Sequence, residues 1–338
     1  MATTMLRRRF VRELTLAGSA VMMLPSLRAQ AAEPPPETTS VRIPKFPGTC
    51  VAPEYVSAEL LRAEGFSEIR YVDPGPELEL SAKVGRGEAD LTMEFAARCI
   101  QTVDAGGALT MLGGVHVGCY EIFANDQIHG IGDLKGRTVG VRASGGNQRA
   151  FLIAMATHIG LDPQTDIRWV TNSNSGSDPL ELFAAGKIDA FLGTPPEPQE
   201  LRARRVGHVI FNSILDHPWS NYFCCMLAVN RDFARKYPVA TKRAYRAILK
   251  AADICAADPA GAARRLVDGG FTGNYEYALE AVRDVKYDKW REYDPEDTLR
   301  YYALQLYEAG LIKTSPDRLI AEATDWRYLN ELKRELKG

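Results

Sequence analysis

The chain has 338 residues, 46% of them hydrophobic and 25% charged, with a formal net charge of −2. That is the composition of an ordinary globular protein, with enough chain for more than one core. It lacks the basic footprint of a nucleic-acid binder, so no nucleic-acid partner is expected.

The N-terminus stands apart. Arg7-Arg8-Arg9-Phe10-Val11-Arg12 precedes an apolar run from Leu14 to Leu24, and Ala29-Gln30-Ala31 follows. A basic start, an apolar stretch too short to span a bilayer and small residues at a cleavage point together read as an export signal over residues 1–31. The arginine pair followed by Phe10 is twin-arginine-like. Leu6 stands where that signal has Ser or Thr, so the general secretory route stays open. Cleavage near Ala31 would leave a periplasmic protein, more acidic than its precursor because five arginines depart with only Glu13. Residues 32–40, containing "EPPPETT", read as a stiff, disordered leader.

Strand and helix signals alternate from there. Strands are expected over 41–46, 68–72, 89–95 and 108–115. Helices are expected over 53–65, 77–87 and 96–105. A second block repeats the scheme, with strands over 120–125, 137–141, 166–171, 188–193 and 207–212. Its helices fall over 148–159, 179–186 and 195–205, the first turning Phe151, Leu152, Met155 and Ile159 inward. A long β-rich run, "NYFCCMLAVN", covers 221–230. The remainder is helical: 239–256, Pro259–Asp268, 275–285, 295–309 and 316–332. This alternation predicts α/β architecture with parallel sheets covered on both faces. The economical topology is two lobes joined by two crossings, near Gly118–Glu121 and near Asn221–Cys225. One lobe would comprise 41–119 plus 223–338, the other 120–222. Ligands in such sheets bind beyond the carboxyl ends of strands, which here would face each other across a cleft.

Three stretches carry a family resemblance: "GRGEADLTMEFAA", "IGDLKGRTVGVRASGG" and "AAGKIDAFLGTPPEP". They resemble the bacterial substrate-binding proteins for nitrate, sulfonates and taurine, and the binders and synthases of the thiamine-pyrimidine precursor. The resemblance implies a two-lobed type II periplasmic-binding-protein fold with two hinge crossings and a helical C-terminal tail. It further implies a monomer that needs no cofactor, takes a small-molecule ligand and delivers it to the permease of an ABC importer.

The Gly-rich turn after "RTVGV" is the first place to look for a ligand. Gly140, Gly145 and Gly146 do not meet G-x-G-x-x-G, and no G-K-[ST] follows, so it is neither a dinucleotide nor a P-loop motif. Ser144, Gly145, Gly146 and Asn147 nonetheless open a helix, where backbone N–H groups attract acceptors. Otherwise the glycines serve a turn with φ > 0. The strand ends offer Thr49 and Cys50, then Glu94, Phe95 and Arg98, then Asn172, Ser173 and Asn174, then Thr194 and Glu197. The crossings offer Cys119, Tyr120, Asn221 and Tyr222. Arg98 and Arg142 would select an anion, whereas Glu94 would favour a cation or pair with Arg98. Ser177 or Asp178 is read as the cap of the helix that begins at Pro179.

Six cysteines, Cys50, Cys99, Cys119, Cys224, Cys225 and Cys255, form no CxxC and have no His at ligand spacing. They read as buried thiols rather than a metal site, with disulfides permitted by export. Two enzymatic alternatives follow from the resemblance. Aromatic desulfinases carry a nucleophilic Cys just after the first strand, and "TCVAP" sets Cys50 in a comparable place. That thiol would need an activating neighbour, and His116 is the one histidine placed to supply it. Desulfinases are cytosolic, against the export signal. The pyrimidine synthases carry a Cys-rich run with an active-site His; "YFCC" is a fragment of one, with no His adjoining it in sequence.

Overall fold

The computed structural model describes residues 33–336 apart from Pro47 and Pro76. The export-signal reading over 1–31 lies outside the described residues, and residues 35–338 pack as one unit.

Among the described residues, ten strands form three sheets. β1 (Ser40–Pro44) and β2 (Glu68–Val72) pair in parallel. β3 (Leu91–Phe95) and β4 (Leu109–Val117) flank β10 (Phe223–Asn230), which runs antiparallel to both. The third sheet has the order β7-β6-β8-β5-β9, built from β5 (Glu121–Ala124), β6 (Arg137–Gly140), β7 (Ile167–Val170), β8 (Ala190–Gly193) and β9 (His208–Asn212). Within it β6 pairs in parallel with β7 and β8, while β5 is antiparallel to β8 and β9. Of the parallel sheets expected from βα alternation only the β1–β2 pair is wholly parallel; the second sheet pairs antiparallel throughout and the third is mixed. β10 returns from the second block in the reverse direction and seats itself between β3 and β4. Its unbroken apolar run is what a central strand buried on both faces requires, and all eight of its residues are buried. Arg42 of β1 ties the first sheet to the second: its N–H and its guanidinium Nη2 each donate to the Asp90 carboxylate at 2.7 Å.

The first crossing is short. β4 ends at Val117, and Gly118 turns the chain with φ +63. A side chain there would meet Ile214 at 2.6 Å, so glycine is required both for the turn and for the approach. The amides of Cys119 and Tyr120 both donate to Ser213 Oγ, at 3.0 and 2.8 Å, before β5 begins at Glu121. Behind the crossing lies an aromatic cluster. Phe95 meets Tyr120, Phe151 and Tyr302 edge-on at 5.4, 5.6 and 5.0 Å, joining β3 to the Asn147–His158 and Pro295–Glu308 helices.

The helical tail matches its periodicity closely, and the structure departs from expectation at several points along the chain. The helix expected over 316–332 is two, Pro316–Ala323 and Arg327–Glu335. Thr324 between them is extended and bridges to Met111 at the edge of β4, where the Asp325 amide donates to the Met111 carbonyl at 3.0 Å. Ile159, expected inward, sits past the last turn of its helix and is exposed. The described part of the leader is not free. The Glu37 carboxylate accepts from the amides of Val239 and Ala240 at 3.0 and 2.9 Å, capping the Pro238–Ala257 helix.

Candidate functional site

A narrow cavity of about 20 Å³, the room of roughly one water, opens where the loop after β1 meets the second block. Phe46 and Leu78 line it from the first side; Gly146, Asn147, Thr194 and Glu197 line it from the other. The two sides touch directly, because the Thr49 amide donates to the Pro195 carbonyl at 3.0 Å.

Glu197 organises the second side. Its carboxylate is buried and accepts from the Thr194 amide at 2.8 Å, from Gln148 Nε2 at 2.9 Å and from Arg142 Nε. Burial raises its pKa, and the Arg142 guanidinium draws it part of the way back. Gln148 goes further. Nε2 also donates to the Leu192 carbonyl at 2.7 Å, and Oε1 accepts from the Arg142 amide at 2.8 Å. One side chain thus fixes β8, the second residue after β6 and the start of the helix together. Arg142 is committed to Glu197, which leaves it poorly placed as the sole selector of an anionic ligand.

The Gly-rich turn differs from expectation in its backbone. Gly146 is the N-cap, with φ −82 and ψ 170, and neither Gly145 nor Gly146 has a positive φ. What restricts Gly146 is space: a Cβ there would meet Ala143 Cβ and O at 3.3 Å. The Gly146 amide is used by the turn, donating to the Ala143 carbonyl at 3.1 Å, and the Gly145 amide donates to Glu77 Oε2 at 3.4 Å. Ser144 supports the turn through its carbonyl, which accepts from Arg149 Nη1 at 3.2 Å.

Glu94 is buried at the end of β3. It accepts from the amides of Ser81 and Phe95 at 3.1 and 3.2 Å, and burial pushes its pKa up to about 7 against the pull of Arg98. It does not close an ion pair with Arg98, whose Nη1 donates instead to Gln101 Oε1 at 3.0 Å. Asn172 and Asn221 are exposed and do not line the cavity. Asn172 opens the short Asn172–Ser175 helix, and Asn221 ends a 3-10 turn. Thr171, not Asn172, does the local work, as cap of that helix. Asp178 caps the next helix as expected, accepting from the Leu180 amide at 2.9 Å.

Cys50 and Cys119 sit apart from the cavity's lining, side by side with His116, Cys224 and Cys225 in the interior. Hydrogen bonding among the clustered thiols, Cys119 and Cys225 foremost, holds the Cys50 pKa well below the ordinary thiol range, with His116 adding to the pull. Cys224 is likewise drawn down to about 5 despite its burial, by Cys119 and Cys225. All six cysteines are free thiols. The resemblance to desulfinases paired Cys50 with His116, but nothing in the spacing announced the meeting with Cys119, Cys224 and Cys225, since the members come from three distant segments. Gln148, Phe46, Leu78 and Ser213 were also missed. Only Gln148 carried a signal, as a polar residue one place inside a helix start.

A family model described as NMT1/THI5 like matches residues 61–262. No curated protein matches the chain in sequence. Among solved structures, the periplasmic nitrate-binding protein NrtA of Synechocystis PCC 6803 is similar at a TM-score of 0.74 and 13% identity, over 90% of each chain. The alkanesulfonate-binding protein SsuA of Xanthomonas axonopodis pv. citri, solved with MOPS bound, is similar at 0.66 and 17% identity, over 87% of this chain and 99% of that one. The desulfurization enzyme DSZB is similar at 0.58 and 16% identity, over 88% and 99%. At these identities the likeness is one of fold: the chain has the α/β periplasmic-binding-protein fold.

Proposed function

The chain belongs to the NMT1/THI5-like family, and on that premise we propose that it is an exported substrate-binding protein that captures one small molecule between two lobes and passes it to an ABC importer. The lobes would be 41–119 with 223–338, and 120–222. The observation that carries this reading is the seam at which Thr49 and Phe46 meet Pro195, Gly146 and Glu197 across a cavity the size of one water. In this reading that seam is the closed cleft, and its opening about the Gly118–Glu121 and Asn221–Cys225 crossings admits the ligand. Ser144 to Asn147, Thr194 and Glu94 would then hold it, with Glu197 and Gln148 keeping the wall in place.

Ligand bound only by the native state raises the unfolding temperature by mass action. A thermal-shift screen of nitrate, sulfonates, aromatic carboxylates, pyrimidines and polyamines, followed by calorimetry, should give one compound class with a stoichiometry of one. Turnover of a compound with no shift from any of them would overturn the reading.

One observation favours a second reading, a cysteine hydrolase. Cys50 has both a depressed pKa and an imidazole neighbour, the two features that activate a thiol nucleophile. Hydrolysis of an aryl sulfinate by the wild type but not by Cys50→Ser would establish it.

A further inference from the structure

Four of the six cysteines and one histidine meet in a single buried cluster. Cys50 comes from the turn after β1, His116 from the end of β4, Cys119 from the first crossing, and Cys224 and Cys225 from the start of β10. Their donor atoms make two overlapping triads, Cys50–His116–Cys119 and His116–Cys224–Cys225, each with its three atoms within 4.8 Å of one another. The Cys119 and Cys224 sulfurs are 3.2 Å apart.

The histidine is what packing alone does not explain. His116 is 0% exposed, and its Nδ1 lies 3.1 Å from the Gly118 carbonyl. A carbonyl only accepts, so Nδ1 carries a proton, and in the neutral ring Nε2 presents a lone pair. That Nε2 is buried, meets no oxygen or nitrogen partner, and faces the Cys50 thiol. An imidazole steadied from behind by a backbone carbonyl, with its other nitrogen facing sulfur donors, is the orientation of a metal-ligating histidine. The buried Oγ1 of Thr49, the residue before Cys50, also lacks a partner. Cys99 and Cys255 supply the contrast within the same molecule. Both are buried and belong to neither triad, as ordinary packing cysteines do.

We propose that this cluster is a binding site for one thiophilic d10 cation, zinc(II) or copper(I), ligated by His116 Nε2 and by the cluster's sulfurs. Mixed imidazole and thiolate donors suit these ions above hard cations such as magnesium or calcium. Binding forms metal–sulfur and metal–nitrogen bonds. Each ligating thiol gives its proton to solvent, and no electron is transferred. The site stands whether or not the cleft binds a solute.

The test uses the full chain, reduced and freed of metal by chelator. Cobalt(II) titration should give thiolate-to-cobalt charge-transfer absorption and strong visible bands saturating at one equivalent. Zinc(II) should bleach them; copper(I) doing so at lower concentration than zinc would assign the softer ion. His116→Ala and Cys224→Ser should each weaken cobalt binding at least tenfold, while Cys99→Ser and Cys255→Ser leave it unchanged. Circular dichroism identifies which variants are folded. Thermal shift adds a second readout: zinc(II) should raise the unfolding temperature of wild type and of Cys255→Ser, and not that of His116→Ala. Folded, fully reduced wild type that gives no stoichiometric cobalt spectrum overturns the proposal. So does binding that survives His116→Ala and Cys224→Ser undiminished.

Discussion

Gln148 Nε2 donates to Glu197 Oε2 at 2.9 Å, and through that bond the start of one helix is fixed to the turn that begins another. Neither side chain is exposed to solvent, so water does not replace a bond lost between them. Glu197→Ala would strand the Thr194 amide and the Arg142 guanidinium and leave Gln148 Nε2 only the Leu192 carbonyl. The half-exposed Arg142 can turn to water, which keeps the expected cost to about 2 kcal/mol rather than the larger figure for a fully buried pair. Glu197→Gln should cost less, since it still accepts from Thr194. Urea unfolding of the three proteins checks the order; an unchanged midpoint for Glu197→Ala would show that the network contributes nothing.

The two glycines of the turn should separate cleanly. Around Gly145 the nearest atom to an added Cβ is Glu77 Oε2 at 4.0 Å, and its φ is not positive. Gly145→Ala is expected to be neutral or to stabilise by up to about 0.5 kcal/mol, by restricting the unfolded chain. Gly146→Ala must push against Ala143 and is expected to destabilise by about 1 kcal/mol. Gly146→Val should fill the cavity and abolish binding of whichever ligand the screen identifies, while Asn147→Ala weakens it by about 1 kcal/mol. Equal stabilities for the two alanine variants would contradict this account.

Glu94 predicts a pH dependence with a definite sign. Its acid form is held up to about 7 by burial, so the native state keeps this proton more tightly than the unfolded chain does. Its contribution is therefore fully present below the usual carboxylate range. It fades as pH rises toward 7, by about 3 kcal/mol in all. The difference in stability between wild type and Glu94→Gln, measured from pH 4.5 to 7.5, should move against the wild type as pH rises. A difference that stays flat across that window would rule the effect out.

Arg202 joins elements far apart in sequence. Its Nη1 donates to the buried Glu121 at 2.6 Å, its Nη2 to Asp284 at 2.8 Å, and its Nε to Glu280 at 2.9 Å. Arg202→Met leaves Glu121 as an unpaired buried carboxylate and should cost about 2 to 3 kcal/mol. Adding Glu121→Gln should recover part of that loss, and the double-mutant cycle measures how much. Strict additivity of the two changes would show that the pair does not interact.

Local signals in this chain were readable where the residues that decide an element are its own. The Pro259–Asp268 helix begins with proline after the Asp258 cap, and its bounds follow from the sequence alone. Gly146, Asn147, Thr194 and Glu197 were likewise found by asking what stands at strand ends and helix starts. The misses share a different cause. An apolar run states that β10 is buried but not which strands it divides, nor in which direction. Nothing near Thr324 announces that β4 will claim it. The thiol cluster joins residues at 50, 116, 119 and 224–225, and proximity among them exists only after the sheet has closed. Asn172 and Asn221 have the right residue type at the right kind of place, yet they do not line the cavity, because the backbone there serves a helix start and a 3-10 turn.

The position of β10 sets an order of events in folding. Phe95 is paired with Cys225 and Val117 with Phe223, so the sheet of β3 and β4 has no middle until the chain has passed through the whole of the other sheet and come back. Contacts that span so much sequence close late and slowly. The five strands from β5 to β9 need nothing from beyond Asn212 for their own pairing and can assemble first. A chain interrupted before Phe223 would carry β3 and β4 as two apolar ribbons with bare edges, open to any extended segment that offers itself.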